Sequence, residues 1–92
     1  MAVEIAFPFP LPGGLHARPA SRLREEVSRF RSVVTFLNRA SGNGASARSV
    51  LGLVATRTGH GEPCVLHVQG DDEAEAAEAL RRFVKAVLPG LD

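Results

Sequence analysis

Two segments of this chain can each bury only one stripe of side chains, and that limits the folds available. From Ala17 to about Phe30 the apolar positions are Ala20, Leu23, Val27 and Phe30, with Arg22, Arg24, Glu25, Glu26 and Arg29 on the other side. Beyond Gly70, residues Ala76, Leu80, Phe83, Val84 and Val87 repeat at similar spacing up to Pro89-Gly90. Three- and four-residue spacing marks one face of an α-helix. A helix with a single apolar face must cover another apolar surface, and the rest of the chain supplies a sheet. Val3, Ile5, Phe7 and Phe9 alternate with Glu4, Ala6 and Pro8, which is strand periodicity. Ser32 to Asn38, Ala45 to Ala47 and Cys64 to Gln69 read as three further strands. In the last of these Cys64, Leu66 and Val68 face inward and His67 faces out.

Local signals punctuate these elements. Pro8 cannot donate to a sheet ladder, so its strand ends there or lies at an edge. Asn43-Gly44 is a hairpin signal. Ser49 precedes the apolar run Val50-Leu51-Gly52-Leu53-Val54 and reads as the N-cap of a short helix. Gly59, Gly61 and Pro63 break that helix off. Asp72 and Glu75 have the spacing of a capping box for the last helix. The expected order is β-α-β-β-α-β-α over one domain, residues 1–92. The fold class is α+β, an open-faced β-sandwich with a four-stranded antiparallel sheet covered on one face by helices.

Composition narrows the function. Formal net charge is +1, and no run of Lys or Arg points to nucleic acid or to an anionic membrane. No apolar stretch is long enough to span a bilayer, and no signal-peptide pattern is present. The single cysteine, Cys64, excludes an intrachain disulfide and suits a reducing compartment, so a cytoplasmic location is expected. Cys64 reads as a small core hydrophobe. His60 and His67 have no Cys or His at ligand spacing, so no metal and no cofactor are expected.

The chemistry concentrates in Gly13-Gly14-Leu15-His16-Ala17-Arg18-Pro19-Ala20. It places a histidine where a loop gives way to a helix. A helix N-terminus offers unpaired backbone N–H groups and the positive end of the macrodipole, so it attracts a phosphate-sized anion. Proline is tolerated in the first turn because its missing N–H has no intrahelical partner to lose. Histidine is a nucleophile that is available in its neutral form near pH 7. Arg18 carries a planar guanidinium suited to bidentate contact with phosphate oxygens, although its first-turn position is unfavourable to the dipole when no anion is there. The pattern places a nucleophilic imidazole beside an anion cradle made by the N–H groups of Ala17 and Arg18.

The block Gly14 to Ala20 resembles HPr, the histidine phosphocarrier family of the bacterial phosphoenolpyruvate:sugar phosphotransferase system. Ala45-Ser46-Ala47-Arg48-Ser49-Val50-Leu51-Gly52-Leu53 is similar to that family's regulatory-serine motif. Gly70-Asp71-Asp72-Glu73-Ala74 is similar to the turn before its last helix. Phe7 to Pro12 and Phe83 to Gly90 look more like the HPr-type domains of multiphosphoryl transfer proteins, where the carrier is fused to Enzyme I. The resemblance implies that His16 is phosphorylated on Nδ1 by Enzyme I, passes the group to an EIIA domain, and is assisted by Arg18. It implies that Ser49 corresponds to the serine modified by an HPr kinase in some bacterial lineages. It also implies a monomer with no direct membrane contact, acting between partners rather than turning over a substrate alone. One departure stands out: many members carry asparagine where this chain has Gly13.

Leu51, Leu53 and Val54 lie on or near the short helix, and a short helix cannot bury them all. An exposed apolar patch there, ringed by Arg22, Arg24 and Arg48, suits transient docking. Three rival readings exist. A regulatory or nitrogen-type paralogue would share the chemistry and signal through its phosphorylation state. An RNA-binding α+β module would need exposed aromatic residues on its sheet, yet Tyr and Trp are absent and the phenylalanines fall on core faces. A hydrolase using His16 as base has no nucleophile or carboxylate beside the motif in sequence.

Overall fold

A computed structural model describes all 92 residues. The elements are β1 (Ala2–Pro8), α1 (Ala17–Val27), β2 (Val33–Asn38), β3 (Gly44–Ser46), α2 (Val50–Ala55), β4 (Pro63–Gln69) and α3 (Glu73–Arg82). The last helix continues through a π-helical turn, Phe83–Val87, and a 3-10 turn, Leu88–Gly90. The four strands form one antiparallel sheet in the order β1-β4-β2-β3. This is the expected open-faced arrangement. β1 lies at an edge and ends at Pro8, as the missing N–H of proline requires.

One face of the sheet carries the core. Ile5, Val34, Phe36, Cys64, Leu66 and Val68 are buried there against Ala20, Leu23 and Val27 of α1 and Ala76, Leu80 and Phe83 at the end of the chain. Each fully buried Leu or Phe contributes about 1.5–3 kcal/mol, so these contacts outweigh the small local preferences of the short elements. Burial pushes the Cys64 thiol up to about 12, with the Glu62 carboxylate adding to the effect. On the other face, the side chains of Glu4, His67 and Thr35 form one row across β1, β4 and β2. Val65 on that face is also buried, because β4 is central and Ala6 and Leu37 flank it. Strand alternation alone left it outside.

Several boundaries differ from the sequence expectation. α1 stops at Val27, three residues before Phe30, and Ser28 caps it. Phe30 is half-buried in the connecting turn, where the Arg48 guanidinium donates to its carbonyl at 2.8 Å and to that of Ser32 at 3.1 Å. The β2–β3 hairpin forms, but its turn lies before Asn43-Gly44, with Gly42 at φ +81° and Gly44 already in β3. Asp72 does occupy the N-cap of α3, yet its side chain caps nothing there. Its carboxylate instead accepts from the backbone N–H groups of Arg31 and Ser32 and from the Ser32 hydroxyl. The reach-back bond comes from Glu73, which accepts from the Gly70 N–H at 3.1 Å, not from Glu75. Gly70 sits at φ +156° with a Cβ position 2.7 Å from Ser32 Cα, so only glycine fits where the two turns meet.

These bonds, led by the Ser32 hydroxyl, hold the Asp72 carboxyl below its ordinary value of 3.8. A lowered folded-state pKa means that the stabilisation is complete above the ordinary value and is lost as pH falls through the folded one. Asp72→Asn should therefore flatten the loss of stability on acidification below about pH 4, as read by urea titrations at stepped pH.

Candidate functional site

The loop between β1 and α1 is drawn tight by backbone bonds. Gly14 N–H donates to Leu11 O at 3.0 Å, and His16 N–H to Gly14 O at 3.1 Å. Leu15 N–H crosses to Thr58 O at 2.9 Å, tying the loop to the turn after α2. Gly14 has φ +74°, and a Cβ placed on it would lie 2.7 Å from the Thr58 carbonyl oxygen. Glycine is required there both by conformation and by space. Leu11 and Leu15 anchor the loop in the core, and Pro19 is buried in the first turn of α1.

His16 occupies the N-cap of α1 in an extended conformation, and its side chain makes no capping bond. The N–H groups of Ala17 and Arg18 donate to no atom of the chain, since the first helical bond runs from Ala20 N–H to His16 O. Pro19 has no N–H to offer. The first turn of α1 contains no acidic residue. The positive end of the helix thus carries two free donors and no acidic residue in its own first turn, which favours binding an anion from outside. Arg18 is exposed and forms no ion pair, so its guanidinium is free.

A carboxylate far away in sequence completes the site. Asp92 Oδ1 lies 3.3 Å from His16 Nε2, and Asp92 Oδ2 accepts from Gly13 N–H at 3.1 Å. A carboxylate only accepts, so Nε2 carries the proton and Nδ1 keeps its lone pair. In the neutral ring this contact leaves the lone pair on Nδ1. Nothing in the sequence flagged Asp92, which lies 76 residues from His16. A Cβ on residue 13 would sit 2.8 Å from Asp92 Oδ1, so this position of the carboxylate depends on Gly13 having no side chain.

The other expected residues divide. Ser49 caps α2, with Oγ accepting from Gly52 N–H at 3.0 Å. Leu51 is 85% exposed and Val54 is 37% exposed, but Leu53 is 0% exposed. Leu53 belongs to the core and cannot dock a partner, because it lies on the face of α2 turned to the protein interior. Arg22 pairs with Glu25 at 3.2 Å on the surface of α1. Arg48 is exposed, yet one of its nitrogens is committed to the Phe30 and Ser32 carbonyls. Two surface concavities, about 370 and 330 Å³, are lined by residues such as Glu26 of α1 and Ala79 of α3, and by β1 and β4 residues such as Phe7 and Cys64. His16 lines neither. Its ring is set on an open surface, whereas small-molecule sites are concave.

Residues 3–86 match the family model described as the PTS HPr component phosphorylation site. The chain belongs to the HPr family. It is 41% identical over 83 residues to multiphosphoryl transfer protein 1 of Escherichia coli, covering 90% of this chain and 10% of that protein. The chain therefore spans about a tenth of the length of such relatives. Among solved structures, a phosphocarrier protein HPr from Bacillus anthracis superposes with a TM-score of 0.77 at 30% identity, covering 90% of this chain and 96% of that one. Bacillus subtilis Crh, solved as a domain-swapped dimer, gives a TM-score of 0.62 at 34% identity, covering 90% and 88%. No helix is long and apolar enough to cross a membrane.

Two outcomes check the geometry of the loop. Gly14→Ala should destabilise the fold by about 1–3 kcal/mol, measured by urea unfolding, because it adds both strain and a clash. Asp92→Asn should leave the fold intact and shift the His16 ring, seen by nitrogen-15 NMR, away from a predominant Nε2–H tautomer.

Proposed function

We propose that this chain is a phosphocarrier that accepts a phosphoryl group on His16 Nδ1 from phosphorylated Enzyme I and passes it to an EIIA domain. The observation that carries this reading is the pair of unused N–H groups at Ala17 and Arg18 beside a histidine whose Nε2 is held by Asp92. Phosphoryl transfer asks the protein for positioning and charge stabilisation more than for covalent work. Nδ1 attacks phosphorus as the bond to the donor's leaving atom breaks, and the phosphoryl oxygens come to rest against the helix N-terminus. Arg18 closes over them with its free fork. The Asp92 carboxylate accepts the Nε2 proton throughout and offsets the positive charge that develops on the ring when Nδ1 is substituted.

The same geometry accounts for an open site. A carrier must present the reacting atom to two different proteins in turn, so a flat, accessible imidazole serves where a closed pocket would not. The exposed Leu51 and Val54, with Arg48 just before α2 and Arg22 on α1, which packs against α2, form the apolar and basic parts of the docking face in this reading. The carrier works in the cytoplasm as a monomer, alone or as one domain of a fused protein, and by itself it has no substrate to turn over.

A second reading has one observation in its favour. The Ser49 hydroxyl is exposed at the N-cap of α2, where a phosphate would be tolerated by the helix end. It would place about two negative charges next to Leu51 and make the chain a regulated or signalling member of the family.

Incubation with phosphoenolpyruvate and Enzyme I should add one phosphoryl group by intact mass. The group should be lost in mild acid, kept in alkali and absent from His16→Ala. Arg18→Ala should slow acceptance by about ten- to a hundredfold without loss of fold, the magnitude expected for removing a charged hydrogen-bond donor of 1.5–3 kcal/mol. A His16→Ala variant that still gains an acid-labile phosphoryl group would overturn the assignment.

A further inference from the structure

The turn after α2 is clamped from both sides of a single residue. Thr56 Oγ1 donates to Leu53 O at 2.7 Å, so the Thr58 hydroxyl, 2.8 Å from it, must donate to Thr56. Asn38 Nδ2 in turn donates to Thr58 Oγ1 and to Glu62 Oε1, both at 3.2 Å. Asn38, Thr56 and Thr58 are all buried. Between the two threonines Arg57 has φ +54°, the only non-glycine residue of the chain in the left-handed region.

Arg57 follows the C-cap Thr56, the position at which glycine is usual because a β-carbon is crowded there. Such a conformation persists only where the surroundings over-determine it, and it recurs at functional sites. The hydroxyl chain across Thr56 and Thr58 does the over-determining. Glycine would relieve the strain and leave that chain unchanged. The Arg57 guanidinium is exposed and makes no hydrogen bond or ion pair within the molecule. The next residue, Thr58, holds the Leu15 N–H, so Arg57 stands where the α2 turn meets the His16 loop.

Charge is distributed unevenly along the sheet. Asp71, Asp72, Glu73, Glu75 and Glu78 gather where α3 leaves the Gln69 end of β4. The His16 loop leaves the Pro8 end of β1, which the register places opposite Pro63, at the other end of β4. At that end the free guanidinium groups of Arg18 and Arg57 face solvent, while Asp92 is engaged by His16 and Gly13 and Glu62 by Asn38 and Gly59.

We propose that Arg57 is a docking residue, held outward by backbone strain, for an acidic surface on the protein that donates the phosphoryl group. This rests on the carrier reading of His16. The test is steady-state transfer from phosphorylated Enzyme I to the wild-type chain, Arg57→Gly and Arg57→Lys, with thermal melts of each. Arg57→Gly should melt higher, because the strain is gone. Its KM should rise about five- to tenfold at low ionic strength with kcat unchanged, and the difference should shrink as salt screens the contact. Arg57→Lys should keep KM within about twofold, since a charge at the rim steers encounter without needing fork geometry. An unchanged KM in Arg57→Gly, or a fall in kcat alone, overturns the proposal and leaves Arg57 as a mere helix C-terminal cation. Absence of any transfer to the wild-type chain overturns the carrier reading first, and this proposal with it.

Discussion

The contact between Leu15 N–H and the Thr58 carbonyl, made across a glycine with no room for a side chain, is what the site depends on. It brings the loop before α1 against the turn after α2, two segments separated by some forty residues of intervening sheet and helix. Once Gly14 is pinned there, Leu15 points into the core and His16 can only stand at the mouth of α1. The helix axis then fixes the direction of the Ala17 and Arg18 N–H groups. A single backbone hydrogen bond contributes about 0.5–1.5 kcal/mol. Its larger effect is to remove the freedom of a loop that would otherwise have to be ordered when an anion binds at the helix end.

Electrostatics at the two long helices is arranged in opposite ways. α3 begins with Glu73 and Glu75 in its first turn, which satisfy its dipole from within. α1 begins with none, and has Arg18 instead. A cation in the first turn costs about 0.3–1 kcal/mol, while a hydrogen bond to a charged partner gains about 1.5–3 kcal/mol. The gain exceeds the cost only when an anion is bound. The same balance applies to Arg57, whose strained backbone brings no benefit inside the isolated chain. Both residues lower the stability of the isolated chain slightly.

The element types and their order were legible because the periodicities are clean: period two in Val3–Phe9 and Cys64–Gln69, three- and four-residue spacing in the two long helices. The histidine motif was legible because proline and glycine carry fixed backbone meanings. Errors arose where a residue's partner lies far away in sequence. Phe30 continues the apolar spacing of α1, but the helix ends at Val27 and Phe30 lies in the turn that follows, its N–H donating to Val27 O. Asp72 has capping-box spacing, but two N–H groups and a hydroxyl from the α1–β2 connection recruit its carboxylate. Leu53 was indistinguishable from Leu51 by type, and only the rotation of α2 on the sheet separated core from surface.

Local spacing and backbone chemistry in the sequence determined the strands, the helices and the loop–helix junction at His16, because those depend on neighbours a few positions apart. The tertiary structure alone decided that Asp92 meets His16 Nε2 and which leucine of α2 is free. It also placed Arg57 in the left-handed region between Thr56 and Thr58, whose hydroxyls bond each other and are tied to Asn38 of β2. Each of those outcomes requires closing a long loop, and the energy that closes it comes from the buried face of the whole sheet rather than from any segment that benefits.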